Sequence, residues 1–280
     1  MSNLKTIEIK QTKLLYFILK SNAQEVKEVI SSKKDYYYTF QKIKKDKRDK
    51  VVFENGIPKS REINATKDKL QVFQKIISKK ILSKIVLPPN IKGGVKGSDN
   101  ISNAKAHLGK HYKFKTDIKK YFPSISHTRV YKMLIENGFS SAVASIITHI
   151  TTYKYQLPQG TPTSTNIANL VFIPIDKKII KFCNIHKITY TRYVDDLTFS
   201  SHFDFRNKVN DLIKFIIDEN FAISDKKTYY KAGSMEITGV YTKQNILDAT
   251  TEYKELVKDQ TIDSIKTEAR IKYIERIKTK

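Results

Sequence analysis

At 280 residues and 32.4 kDa the chain has room for one large domain or two modest ones, and 40% apolar with 11% aromatic residues exclude a disordered chain. No run approaches the ~18 apolar residues of a membrane span, no export signal follows Met1, and the lone Cys183 excludes an internal disulfide, so the chain reads as soluble and cytoplasmic. Lys and Arg number 52 against 28 Asp and Glu, a net charge of +24. Codon bias toward lysine would raise glutamate too, so a polyanionic partner is expected, nucleic acid before an anionic membrane surface.

Residues 11–31 carry helix-like apolar spacing through Leu14, Leu15, Ile18, Val26 and Val29. Tyr36 to Phe40 reads as a strand, Lys42 to Lys50 as a solvated loop or hairpin tip, and Arg61-Glu62-Ile63 as extended. A lysine-studded helix is expected over 69–85, with Val72, Phe73, Ile76, Ile77, Ile81 and Ile85 on its apolar side and Pro88-Pro89 ending it. After the glycine-rich stretch 93–97 comes a strand whose alternation puts Tyr112, Phe114 and Ile118 on one face. Lys113, Lys115 and Asp117 fall on the other, which reads as open. Further helices are expected over 127–152, 167–180, 205–220 and 250–278, with a turn at Leu157-Pro158-Gln159-Gly160. Two short strands fall around Asp195-Asp196, and 235–240 is extended. This interleaving indicates an α+β or α/β architecture.

Three carboxylates stand out: Asp117 at a strand end, and Asp195 with Asp196 at a hairpin turn between aromatic strand formers. Clustered acids do not all ionise in a low-dielectric cleft without a cation, and hard oxygen ligands suit Mg²⁺. A pair of such ions clamps the attacking and leaving oxygens of a phosphoryl displacement. His107 and His111, four residues apart, have no third ligand and read as non-metal residues.

Tyr193-Val194-Asp195-Asp196 resembles the YxDD box of reverse transcriptases. Phe114 to Ile125, with Asp117, resembles the first-aspartate motif of the bacterial members, and Leu157 to Ser164 resembles their LPQG-x-PTS motif. All three stand in the family's order over about residues 36–245. Asn103-Ala104-Lys105-Ala106-His107 is similar to the NAxxH signature of retron reverse transcriptases, and Ile237-Thr238-Gly239 to their VTG motif with Ile for Val. Lys120 stands where these enzymes often carry an acid, and Arg270 to Ile274 resembles their end-of-thumb helix.

The resemblance implies an α+β right-hand polymerase. Fingers would span 1–90 with the 127–155 helices, a palm with an antiparallel sheet 91–126 and 156–240, and a compact, basic helical thumb 241–280. Asp117, Asp195 and Asp196 would be catalytic and hold two Mg²⁺ ions together with the Ile118 carbonyl. Arg61, with Lys59 as a weaker alternative, Phe122, Gln159 and Lys227 would bind the dNTP. Phe122 would lie under the sugar to exclude a 2′-hydroxyl, and Lys227 near the leaving pyrophosphate as a general acid. Thr163, Ser164 and Asn166 would cap the following helix, and Tyr193 would contribute to the template platform. Asn103, His107, Ile237, Thr238 and Gly239 would contact RNA, His107 alternatively ordering its own segment.

By the same resemblance the chain is an RNA-directed DNA polymerase that copies part of a cognate non-coding RNA of msr-msd type into single-stranded, branched DNA. It would work in anti-phage defence with a separate effector protein. Two other readings stay open: a non-retron bacterial reverse transcriptase of the defence or group II type, and a catalytically idle RNA-binding scaffold that restrains an effector.

Overall fold

The computed structural model describes residues 9–46, 48–258 and 264–279. It divides into two compact units, the first built from residues up to 44, 53–88 and 120–173, the second from 45–52, 89–119 and 174 onward. Helices and strands are numbered along the chain.

In the first unit the apolar spacing of 11–31 forms two helices, α1 (Thr12–Leu19) and α2 (Ala23–Ser31). Lys20 closes α1 in the left-handed conformation at φ 55°, and the Asn22 side chain caps α2 by accepting from the Glu25 amide at 2.9 Å. Strand β1 (Tyr37–Ile43) pairs antiparallel with β4 (Ser60–Thr66), and the short hairpin of β2 (Phe53–Glu54) and β3 (Ile57–Pro58) lies between them in sequence.

The helix expected over 69–85 is not uniform. It runs as α3 (Asp68–Ile76), widens into a π turn over Ile77–Ile81, and tightens into a 3₁₀ turn over Leu82–Lys84. Within α3, Val72 is half exposed and Gln74 is buried instead; Gln74 accepts from Thr66 Oγ1 at 2.8 Å and donates to the Ile150 carbonyl at 2.9 Å. The span 127–152 likewise holds two helices, α6 (His127–Glu136) and α7 (Ser141–Thr151), capped by Ser126 and Ser140. The short α5 (Tyr121–Ser124) precedes them. Helix α8 (Ser164–Ile185) contains Pro174, where the division between the units falls.

The second unit is organised on an antiparallel sheet of β5 (Tyr112–Asp117), β6 (Thr189–Tyr193), β7 (Asp196–Ser201) and β8 (Tyr229–Ala232), in the order β6-β7-β5-β8. On one face Phe114 stacks on Phe199 at 5.5 Å, and Phe199 on Tyr190 at 4.8 Å, an aromatic ladder across three strands. The hydroxyl of Tyr190 reaches Asp176 of α8.

The other face is not open as the sequence suggests. Lys113 is 1% exposed, its ammonium donating to the carbonyls of Lys110 and Gly233. Helix α4 (Asn100–Lys105) and the residues after it cover the sheet, and His107 bonds to both β6 and β7. Strand β5 is central, paired on both edges, and along it only Tyr112 and Lys115 keep partial exposure, while Asp117 at its end is buried.

A second core gathers α4, a three-stranded sheet and the C-terminal helix. Strands β9 (Met235–Ile237), β10 (Val240–Thr242) and β11 (Leu247–Ala249) pair antiparallel, and Ile101, Ala104, Ile237, Val240 and Ile277 pack together among them. Residues 241–249 thus complete this sheet before the helices α10 (Thr251–Lys258) and α11 (Ser264–Thr279) begin. Helix α9 (Val209–Ile217) completes the unit. Of the charged stretch 42–50, residues 42 and 43 end β1, and Lys45 bridges Val51 antiparallel at the base of a hairpin tip. Its Arg48 pairs with Glu255 at 2.5 Å and its Asp49 with Lys266 at 3.7 Å. Among the described residues no helix is long and apolar enough to cross a membrane.

Candidate active site

The three acids are brought to one end of the β5–β7 pair. Asp117 and Asp196 are directly opposed across the two strands. The Ile118 amide donates to the Asp195 carbonyl at 3.0 Å, which makes the 117–196 pair the closer, non-hydrogen-bonded kind, with Cα atoms about 4.5 Å apart. Asp195 occupies the two-residue turn Val194-Asp195 that joins β6 to β7. Like charges set opposite one another destabilise a strand pair, so this placement calls for a compensating cation.

Lysines provide that compensation. Lys227, in the 3₁₀ turn before β8, sets its ammonium 2.5 Å from Asp117 Oδ2, and Lys115 lies 3.6 Å from Asp196 Oδ1. The Asp117 side chain is 8% exposed while that of Lys227 is 51% exposed, so this cation can swing away where the acid cannot.

Burial, with Asp117 and Asp196 close by, pushes the carboxyl of Asp195 up to about 6. Burial raises Asp196 as well, against the pull of Lys115. For Lys227, partial burial works against the charged form, but the hydrogen bond to Asp117 and the charges of all three acids win, and its pKa rises.

Oxygen donors held at the cost of mutual repulsion fit a hard divalent cation. Among the described residues no three acidic, histidine or cysteine side chains form a ready-made metal cage. The oxygen donors at this end of the sheet are two strand carboxylates and a turn carboxylate, with a displaceable lysine beside them.

The turn is braced from behind. Val194 has φ +59°, a conformation that a β-branched residue adopts only under constraint. Gly93 lies against it, since a Cβ at position 93 would fall 2.5 Å from the Val194 nitrogen. Segment 90–93 runs along the outer edge of β6, with the Arg192 amide donating to the Asn90 carbonyl and the Lys92 amide to the Arg192 carbonyl.

The other residues singled out in the sequence lie as follows. Arg61 on β4 is exposed, Phe122 in α5 is half-buried with its ring 5.9 Å from that of Tyr121, and Gln159 is half-buried. All three belong to the first unit. The Gln159 carbonyl accepts from the Asn64 amide at 2.8 Å, and Gly160, at φ +106°, presses on Ile63, so the LPQG turn is docked on β4. Lys59 pairs with Glu54, and Tyr193 is half-buried.

The expected capping of α8 is not what the side chains do. Ser164 donates to the Pro158 carbonyl and Asn166 to Ser78, which ties the helix start to the turn and to the π segment, while the Thr163 hydroxyl stands 3.4 Å from that of Thr161.

The residues expected to contact RNA divide in two. Asn103, His107 and Ile237 have no exposed surface, so direct contact with a ligand is closed to them. Asn103 and Ile237 support the turn Thr238-Gly239, which is half-exposed, both residues having positive φ, whereas His107 braces β6 and β7. Asn100 donates to the Thr238 carbonyl at 3.0 Å and Asn103 to the Thr238 hydroxyl at 3.2 Å. His107 bonds to Ser200 at 2.6 Å and Thr191 at 2.7 Å. Burial first, then the charges of Lys110, Lys113 and Lys92, lower its pKa to about 3.

Arg192 and Asp176, a fully buried ion pair beneath the turn, and the pairing of Lys115 with Asp196 carry no motif in the sequence. Lys115 was within reach, lying two residues from Asp117 on the same strand face. Asp176, the one acid of α8, follows an apolar run and is the sign of the buried pair.

The family model for Reverse transcriptase (RNA-dependent DNA polymerase) matches residues 43–242. The retron Ec86 reverse transcriptase of Escherichia coli is 30% identical over 224 residues, covering 78% of this chain and 67% of its own length. The retron Mx65 reverse transcriptase of Myxococcus xanthus is 28% identical over 230 residues, 73% of this chain and 53% of its own. The retron Se72 reverse transcriptase of Salmonella heidelberg (strain 579083-10) is 30% identical over 213 residues, 71% of this chain and 56% of its own. The chain thus spans between about half and two-thirds of the length of these relatives.

Proposed function

We propose a specific role for a chain that belongs to the retron-type reverse transcriptases, RNA-directed DNA polymerases with a right-hand α+β fold: it copies part of one structured non-coding RNA into single-stranded DNA. The observation that carries the reading is the opposed pair Asp117 and Asp196 with Asp195 on the adjoining turn, an acid cluster that costs stability unless a cation meets it. A broad lysine surface at net charge +24 supports an RNA partner recognised by shape and backbone.

Reverse transcriptases use divalent metal ions, and we assign two Mg²⁺ ions to Asp117, Asp195, Asp196 and the Ile118 carbonyl. When bound they supply charge neutralisation of the transferred phosphate and activation of the attacking hydroxyl. The chain's own part is positioning: β5 and β7 fix two carboxylates, and the turn fixes the third. Lys227, whose pKa the neighbouring acids raise in the metal-free chain, would give a proton to the leaving pyrophosphate. The assignment of Arg61, Phe122 and Gln159 to dNTP binding, with Phe122 selecting against a 2′-hydroxyl, rests on the motif resemblance. So do the fingers, palm and thumb bounds, a branched product on an msr-msd type RNA, a separate effector and a role in phage defence. In the RNA-binding region the half-exposed turn Thr238-Gly239 would make the contact, with Asn103 and Ile237 behind it and His107 holding β6 to β7.

The test is synthesis itself. Protein purified with its co-purifying RNA, given dNTPs and Mg²⁺, is expected to make DNA complementary to a defined stretch of that RNA, and chelation of the metal stops it. RNA binding without any Mg²⁺-dependent product would remove the polymerase reading in favour of the scaffold.

A further inference from the structure

Arg192 and Asp176 form an ion pair with both side chains fully buried. The guanidinium meets the carboxylate twice, Nε to Oδ1 at 3.1 Å and Nη2 to Oδ2 at 2.7 Å, and Tyr190 donates its hydroxyl to Oδ1 at 2.7 Å. Such pairs seldom improve stability over apolar residues of similar size, because desolvation cancels the attraction. The remaining nitrogen suggests another use. Arg192 Nη1 donates to the Val194 carbonyl at 3.0 Å, and that carbonyl belongs to the peptide linking Val194 to Asp195.

The peptide needs holding. Val194 sits at φ +59°, a strained conformation for a β-branched residue that persists only where surroundings impose it. Gly93 presses on it from one side, and the guanidinium grips its carbonyl from another. Arg192 is itself tied through its backbone to Asn90 and Lys92, so the grip is anchored in main chain as well as in α8. A planar fork serves two targets at fixed angles, which a lysine ammonium does not.

We propose that Arg192, oriented by Asp176 and Tyr190, is the positioning residue that fixes the Val194-Asp195 turn and so aims the Asp195 carboxylate for nucleotidyl transfer; this rests on the polymerase reading above. Arg192 touches no reacting atom. It acts through the backbone, so its loss reads out in turnover and in the mobility of the turn.

The test compares wild type with the triple variant Asp176→Leu, Tyr190→Phe, Arg192→Met, which removes the whole network without leaving a buried charge unpaired. Circular dichroism and RNA binding are expected to match wild type. Turnover is expected to fall about 100-fold with KM for dNTP nearly unchanged, the signature of a misplaced catalytic group. Amide hydrogens of the 193–197 peptide are expected to exchange ~10-fold faster. The single variant Arg192→Lys keeps the charge but loses the fork. It serves should the triple variant not fold, with turnover expected below wild type and RNA binding retained. Wild-type turnover and wild-type exchange in either folded variant would overturn the proposal, as would turnover lost only in step with RNA binding. Exchange does not depend on activity. A wild-type protein that made no DNA would sink the polymerase reading, while the exchange comparison would still decide whether Arg192 anchors the turn.

Discussion

Asp195 carries a penalty that the fold alone does not explain. Its carboxyl, ordinarily near 3.8, is pushed up to about 6 by burial and by Asp117 and Asp196. An acid whose folded pKa exceeds its unfolded one stabilises the fold at low pH and loses that contribution as pH rises through the folded value. In metal-free protein this contribution is therefore present below about pH 4 and gone above about pH 6. Asp195→Asn is expected to raise stability at pH 8 in chelator by about 1–2 kcal/mol while abolishing DNA synthesis, as urea melts beside primer extension would show. A variant less stable than wild type at that pH would contradict the account. Gly93→Ala tests the turn from its other side. The added methyl meets the Val194 backbone, so the turn must shift, and turnover is expected to fall ~10- to 100-fold for a stability loss of about 1–3 kcal/mol. Unchanged kcat would show that the close approach is immaterial.

At the scale of elements, the segment Asn103 to His107 serves as a clamp. His107 joins Thr191 of β6 to Ser200 of β7 and is held neutral, its pKa lowered to about 3. A histidine depressed in the folded state gives stability above its unfolded value near 6.5, lost as pH falls through the window toward 3. The sign is opposite to that of Asp195, so the two separate by mutation. His107→Gln is expected to flatten the acid side of the stability profile, and thermal melts from pH 7 to pH 4 check it. An unaltered slope would mean that this ring takes up its proton in the folded protein.

What was legible in the sequence follows the same logic. Period-two alternation located β5 and put Asp117 at its end, and strand-forming aromatics on either side of the Asp195-Asp196 turn located β6 and β7. The pattern fails where a polar residue is buried with a distant partner. Lys113 reads as surface because its acceptors are carbonyls, one of them 120 residues away at Gly233. Gln74, Asp176 and Arg192 each satisfy their polar groups through tertiary contacts that no local spacing records. The interruption of the 69–85 helix was hidden too, since a π turn shifts the apolar face without a proline or glycine to mark it.

For the whole molecule, the net charge of +24 is a statement about binding. Affinity for RNA is expected to fall linearly on a log–log plot against salt, by several powers of ten over a tenfold rise if about 5 or more phosphates are met. A flat salt response would move recognition from the lysine surface to base contacts. All of this depends on the acids at the end of β5 and β7 forming a cation site, and Mn²⁺ reports on it directly. Crystals of the protein with its RNA and a dNTP, soaked in Mn²⁺, are expected to show anomalous density within about 2–3 Å of Asp117 and Asp195 carboxylate oxygens, with Lys227 displaced from Asp117. Manganese bound elsewhere, with the Lys227–Asp117 pair intact and a nucleotide in place, would contradict the account.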